Sequence, residues 1–317
     1  MLLSRVAENI YWSARYLERA EASARLVEVH TKLFLDLPRA AGLSWAPLLF
    51  VTGTADEVST PSEEAVVRLL TVDAGHAGSV RSCINMARAN LRLTRSVLPE
   101  AAWEELNALH LWVEENAGRA VDRRTRLGWT TNVIRKCQML TGLLAGIMCH
   151  DETWSFLEIG RHLERADMTT RVVDVQAGVI LDDADEMLRP YADVTWASVL
   201  RSLGAHQMFL RTTRSGVSGP GALRFLLRNP QLPRSVEHCL TTVSRSLMEL
   251  PYYEAPMAAC AAVQELLVDT DLDAIDAAEL HHFIDRLQVG ISDLHESLTS
   301  TYFTLSPAGT ATLAATA

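Results

Sequence analysis

The sequence predicts an all-α protein, a bundle of long helices made of two pseudo-symmetric halves. Apolar residues recur at helical spacing along nearly the whole chain, and runs of alternating β-branched residues bounded by turns are missing. A second observation concerns repetition. Arg15-Tyr16-Leu17-Glu18-Arg19-Ala20-Glu21 returns as Arg161-His162-Leu163-Glu164-Arg165-Ala166-Asp167, 146 residues on in a chain of 317. The likeness continues through Arg25 and Arg171, Val27 and Val173, Glu28 and Asp174, and Val29 and Val175. A further match, 156 residues apart, joins Ser79-Val80 and Cys83-Ile84 to Ser235-Val236 and Cys239-Leu240, preceded by Arg68-Leu69-Leu70 and Arg224-Phe225-Leu226. Such spacing points to duplication of a whole folding unit rather than a short solenoid repeat. The ten-residue drift between the two matches is expected to be an insertion in the acidic link near Asp182 to Asp193.

The periodicity predicts helices over 3–36, 62–71, 77–97, 100–126, 129–149, 152–181, 193–214, 219–228, 233–250, 255–268 and 274–303. Breaks fall at Pro38 to Pro47, Thr52 to Pro61, Asp182 to Pro190 and Ser215 to Gly221, where proline, glycine and small polar residues gather. Pro99 and Asp151 suit helix starts. Ser306 to Ala317 lacks a packing pattern and is expected to be a flexible tail. No shift of composition divides the rest, so residues 1–305 read as one domain with halves of about 1–150 and 151–305.

Composition narrows the function classes. With 48% hydrophobic and 21% charged residues the chain has enough apolar material for a substantial core. A net charge of −10 argues against general nucleic-acid binding, and the cluster Arg119, Arg123, Arg124 and Arg126 reads as a helix end with solvated charges. Lys32 and Lys136 are the only lysines, and there is no glycine-rich phosphate loop, so an ATP site formed by this chain alone is not expected. Five scattered cysteines without a C-x-x-C pair disfavour disulfides and zinc and suit a reducing compartment. The start, Met1-Leu2-Leu3-Ser4-Arg5, turns polar too soon for a signal peptide and no apolar run reaches a membrane span; the expected location is the cytoplasm.

The repeated residues are charged, which packing alone does not require. At about 100° per residue, Ile10, Leu17 and Ala24 share one helix face while Glu8, Trp12, Arg15 and Arg19 fall on the opposite stripe. The second copy repeats the stripe as Trp154, Glu158, Arg161 and Arg165. A solvated face rarely keeps an indole among its charges, yet Glu21 and Arg25 also have the spacing of an ordinary surface pair. The leading expectation is a polar cleft lined by both stripes with Asn9, Glu18, Glu164 and Asp167, joined by Arg88, Asn90, Arg92, Arg95 and Asn107. Planar guanidiniums suit a peptide carboxylate or acyl phosphate, and Glu8, Glu158 and Glu164 are the candidates for a catalytic carboxylate if burial raises their pKa. A buried ionic network fixing the angle between the halves predicts the same residue types.

With these residues assembled, the chain resembles the bacterial alpha-E family. The likeness opens at Ser4-Arg5-Val6-Ala7-Glu8-Asn9-Ile10-Tyr11-Trp12 with Arg15 to Glu21. It continues through Arg88 to Arg95, Trp103-Glu104 with Leu106-Asn107, Trp154 to Asp167, Phe225-Leu226-Leu227 and Pro233-Arg234-Ser235-Val236. One departure stands out: the family pattern Arg-Glu-Asn-Ala-Arg reads Arg88-Ala89-Asn90-Leu91-Arg92 here. The resemblance implies a partner, a circularly permuted ATP-grasp protein encoded beside such chains or fused to them. A transglutaminase-like peptidase and sometimes a proteasome-like hydrolase are also neighbours. It therefore implies a helical, non-ATP-binding member of an amide- or peptide-ligase system that binds peptide or docks the ligase.

A stand-alone metal enzyme is the rival, and its signals are thin. Four-helix di-iron sites need two Glu-x-x-His motifs, and only Glu279 with His282 fits. Asp182-Asp183-Ala184-Asp185-Glu186 sits in a link beside Pro190, and Asp269, Asp271 and Asp273 lack the calcium-loop glycine and glutamate, with Ala274 and Leu280 in their places. Neither a resident metal nor an organic cofactor is expected. No G-x-S-x-G context singles out a nucleophile.

Overall fold

The computed structural model describes residues 2–38, 43–181, 192–213, 216–272, 275 and 277–304. Among the described residues there are fourteen α-helices and no strand. Helices α1 (Ser4–Asp36), α4 (Val80–Leu93), α5 (Glu100–Glu115) and α7 (Arg126–Ile147) close one ring of four packed neighbours. A second ring is closed by α8 (Glu152–Leu181), α12 (Val236–Leu247), α13 (Glu254–Asp269) and α14 (Ala277–Leu298), which ends in a π-turn, Thr299–Phe303. Shorter helices complete the connections: α2 (Ala46–Thr52), α3 (Glu63–Thr71) and α6 (Ala117–Val121) in the first half, α9 (Ala192–Ser202), α10 (His206–Thr212) and α11 (Gly219–Arg228) in the second.

Where the rings meet, α1 packs on α8. The two run in the same direction, since the Leu2 amide donates to Glu152 at 2.7 Å near their starts and Arg19 reaches Glu164 further on. No residue from Val6 to Thr31 or from Glu152 to Val175 is exposed. A helix covered on all sides belongs in the middle of a core, and one continuous apolar cluster runs through both rings around this pair. The connections cross over: α2 packs on α8, and α9 packs on α1 as well as α8.

Local chemistry accounts for the helix ends. Asp151 accepts from the amides of Thr153 and Trp154, as a cap of α8 should. Ser79 and Ser235 cap α4 and α12 in the same way, accepting from the amides of Ser82 and His238 at 3.1 Å. Each cap hydroxyl also donates to a carbonyl six residues back, at Asp73 and Asn229. The helix expected over 100–126 divides at Asn116, whose side-chain amide joins its backbone amide in donating to the Trp112 carbonyl. The one expected over 193–214 breaks at Gly204, whose φ of 64° is left-handed. Helix α2 lies among prolines read as loop; its Pro47 stands in the first turn, where a missing amide costs nothing, and Gly53 at φ 70° ends it. The acidic run Asp182 to Glu186, Asp273, Ala274 and the tail from Ser306 lie outside the described residues.

Helices α2 and α9 add a correspondence absent from the sequence reading. Trp45 and Trp196, both buried, stand 151 residues apart, as do Gly53 and Gly204. After each glycine the next amide bonds five residues back, Thr54 to Leu49 at 2.8 Å and Ala205 to Leu200 at 2.7 Å. The offset thus steps from 146 to 151 to 156. Five extra residues precede Trp196 and five more fall between Gly204 and Arg224, so the drift does not lie in the acidic link alone.

Gly160 on α8 faces the Tyr11 backbone so closely that a Cβ there would overlap the Tyr11 carbonyl. Gly160→Ala should therefore lower unfolding free energy by about 2 kcal/mol or more by forcing α1 and α8 apart. Exposed Gly142→Ala in α7, where a Cβ meets nothing within 4 Å, should leave it unchanged or slightly raised. Denaturant titration of both variants reads the difference.

Candidate functional site

The charged residues of α1 and α8 meet each other. Glu164 accepts from Arg15 Nε at 2.7 Å and from Arg19 through Nε at 2.5 Å and Nη2 at 3.0 Å. Glu18 pairs with Arg165 at 2.9 Å and with Arg234, from the α11–α12 connection, at 2.6 Å. Each Glu-Arg dipeptide thus gives its carboxylate to the other's guanidinium. Around this crossed pair, Glu21 accepts from Arg25 at 2.5 Å, Arg234 at 2.9 Å and Gln138 at 3.2 Å. Both Asp167 oxygens accept from Arg171 Nε at 3.0 Å. Glu158 pairs with Arg161 at 2.6 Å and lies 3.4 Å from His162.

Burial and pairing set the charge states. The Glu164 side chain is 0% exposed and that of Glu18 3%. Burial pushes the Glu18 carboxyl up, but Arg165 and Arg234 outweigh it and hold it at about 2. Glu164 is likewise held below the usual carboxylate range against its burial by Arg15 and Arg19, and Glu158 by His162 and Arg161. Asp167 goes the other way, because burial exceeds the pull of Arg171. Burial drives the thiols of Cys83 and Cys239 up to about 12, which leaves both as inert core groups.

Aromatic rings close the lattice at one end. Tyr11, fully buried, accepts from Arg15 Nη1 at 3.1 Å and shares a 2.7 Å hydrogen bond with His295 Nδ1. Burial and Arg15 lower His295 to about 4 and so keep it neutral beside the phenol. Trp12 stacks on Tyr16, and Arg15 lies 5.2 Å from the Trp12 ring; Arg161 lies 5.8 Å from Trp154.

The remaining sequence candidates stand elsewhere. Helix α4 meets α1 through Ala87, whose carbonyl takes the Ser13 hydroxyl, so its neighbours turn toward α5. There Arg88 donates to Asn107 at 2.7 Å, and Arg88 and Arg95 flank the Trp103 ring. Arg92 and Arg95 are exposed, Asn90 is half-buried, and Ala89 faces solvent. The one cleft expected from the sequence is therefore two separate groups, a buried lattice and an outer α4–α5 face. Glu8 and Asn9 are half-buried near the start of α1, where Asn9 bonds the Arg5 carbonyl.

Arg126 departs from the solvated reading of its cluster. It is 1% exposed and donates to Glu63 and to the carbonyls of Ala120 and Val121 at the end of α6. On α14, Glu279 and His282 are exposed. Among the described residues, Asp174, His281 and Asp285 have potential ligand atoms within 4.8 Å of one another, but His281 already pairs with Asp174 at 2.7 Å. Beside the lattice a cavity of about 160 Å³ opens between Arg19, Thr52, Gly78, Glu164, Asp167 and Arg171.

A model of the Alpha-E family, a predicted alpha-helical domain with a conserved ER motif, matches residues 2–303. The chain belongs to the alpha-E family. The Glu-Arg dipeptides of this alpha-E chain, Glu18-Arg19 and Glu164-Arg165, are the crossed pair described above. Uncharacterised proteins of Mycobacterium bovis and of two Mycobacterium tuberculosis strains are similar to it, 23% identical over 95% of this chain and 37% of their own. The alpha-E chain thus spans little more than a third of the length of these relatives. No solved structure matches. Among the described residues no helix is long and apolar enough to cross a membrane.

Sequence reasoning missed Arg234, Gln138, Tyr11 and His295 as lattice members. Arg234 left a trace: it precedes the cap Ser235, and the matching position before Ser79 is Gly78.

Replacing Glu164 by Gln leaves two guanidiniums facing a neutral group in the core and should cost about 3 kcal/mol in denaturant unfolding. Acid should act in two stages. Burial lowers His30 and His295 to about 4 from 6.5, so the unfolded chain binds their protons first and stability falls as pH drops from 6.5 to 4. The depressed Glu18 and Glu164 contribute above 4.5 and lose that contribution below it, Glu18 by about pH 2. Melting temperature followed from pH 7 to 2 should show both stages, with the lower one reduced in Glu18→Gln.

Proposed function

We propose that this alpha-E chain is the helical, non-ATP-binding member of an amide- or peptide-ligase system, supplying binding and docking rather than the bond-forming chemistry. The observation that carries this reading is the state of the carboxylates. Glu18, Glu158 and Glu164 are paired and held low, so at neutral pH they have no proton to give and little basicity to offer. The lattice then serves as the rigid joint of two bundles derived from a duplicated unit, and substrate or partner contacts fall to groups that solvent reaches. Relatives in which most residues lie outside the matched region fit a domain that works with another. The resemblance names that other component as a circularly permuted ATP-grasp protein and sets a transglutaminase-like peptidase among its neighbours; the cysteine pattern is the ground for placing the system in the cytoplasm.

For docking, the outer α4–α5 face is the best-suited surface, with Arg92 and Arg95 exposed and Arg95 against the Trp103 ring. Rigid aromatics next to arginines are favoured anchors in protein interfaces. The test is ATP turnover and amide formation by the neighbouring ATP-grasp protein, across amino acids and short peptides, with and without this chain. Stimulation is expected, and Arg92→Glu with Arg95→Glu should abolish it while melting temperature stays within about a degree, as surface changes usually do. Absence of both stimulation and a complex on a sizing column would overturn the proposal.

A further inference from the structure

The cavity beside Gly78 sits where the two halves differ. Its counterpart in the second half is plugged: Arg234, 156 residues beyond Gly78, reaches in to Glu18 at 2.6 Å and Glu21 at 2.9 Å. Glycine supplies no such plug to Glu164 and Asp167, which occupy the matching positions on α8. About 160 Å³ is left open, roughly the liquid volume of five waters.

A cation does not fit this space, although Arg234 fills the other one. Arg15 already donates to Glu164, whereas its counterpart Arg161 turns away to Glu158. The charge that Arg234 adds to one half is thus supplied by Arg15 in the other. Arg15, Arg19 and Arg171 stand against Glu164 and Asp167, an excess of one positive charge. Two of those guanidiniums are accessible, with side chains 29% exposed at Arg19 and 36% at Arg171.

We propose that this cavity binds one small oxyanion, the carboxylate of an amino acid or peptide, on Arg19 and Arg171. The proposal deepens the peptide-binding reading above and rests on it. A planar carboxylate matches the fork of a guanidinium. Because Arg234 plugs the other half, there is one site per chain. Asp167 is the group that must yield. Burial has already pushed its carboxyl up, and an arriving anion pushes in the same direction, which couples binding to pH. Around Asp167 stand Arg171 and Glu164 from α8 and Arg15 and Arg19 from α1. His76 comes from the α3–α4 connection against Gly78, with Nδ1 3.2 Å from Glu57.

Calorimetric titration of the purified chain with N-acetylglycine, inorganic phosphate and agmatine tests the site without any partner. N-acetylglycine should bind once per chain, tighten as pH falls, and lose about tenfold in affinity with Arg171→Met, the weight of a charged hydrogen bond. Asp167→Asn, which imitates the protonated form, should bind more tightly at pH 7 and with a flatter pH dependence. If Arg171→Met does not fold, the Asp167→Asn titration decides. Binding of phosphate with rejection of N-acetylglycine overturns the carboxylate assignment. Binding of agmatine, or equal affinities in all three proteins, overturns the site itself. Loss of ligase stimulation with N-acetylglycine binding intact would instead count against the partner reading alone.

Discussion

Two glutamates buried between two parallel helices, each held by arginines from outside its own helix, set the terms for the rest of this molecule. An uncompensated carboxylate at the depth of Glu164 would cost several kcal/mol. The chain meets that cost by pairing it with Arg15 and Arg19 and by arranging the reciprocal pair Glu18 with Arg165. Because a guanidinium fork accepts only a narrow range of carboxylate positions, the pairs fix how far α8 slides along α1 and how it is rotated. Gly160 against Tyr11 fixes how close the two approach. The remaining helices pack around an axis whose register is thereby settled.

The same arrangement separates structure from chemistry. Carboxylates that serve a joint must stay ionised, and those that transfer protons must titrate near the working pH. Glu18 and Glu164 meet the first requirement and fail the second. Asp167, with one arginine where its counterpart Glu21 has two and a glutamine amide, is the member of the lattice whose environment leaves room for change.

Much of the fold could be read from the sequence because helical periodicity is a local signal. The long helices, the start of α8 at Asp151 and the Glu-Arg repeat all follow from neighbouring residues. Helix α2 escaped because seven residues among prolines and glycines show too few turns for a period. The break at Gly204 escaped because one glycine does not interrupt an apolar pattern. The candidate site was half legible. The repeat revealed that Glu18, Arg19, Glu164 and Arg165 belong together, but an open cleft and a buried lattice call for the same residue types. Only the facing helix decides between them. Arg234 lies outside the repeated pattern, and its part became visible only when Glu18 and Glu21 were found beside it.

The crossing of α2 onto α8 and of α9 onto α1 bears on how the chain is made. As the first half leaves the ribosome, its central helix carries Arg15, Glu18 and Arg19 with their partners about 146 residues away and still untranslated. Helix α2 has no α8 to pack on. The early half is thus denied a finished core, and the second ring cannot close until α14, which ends at Leu298, has been made. A nascent chain stalled before that point should be a substrate for chaperones rather than a half-sized protein.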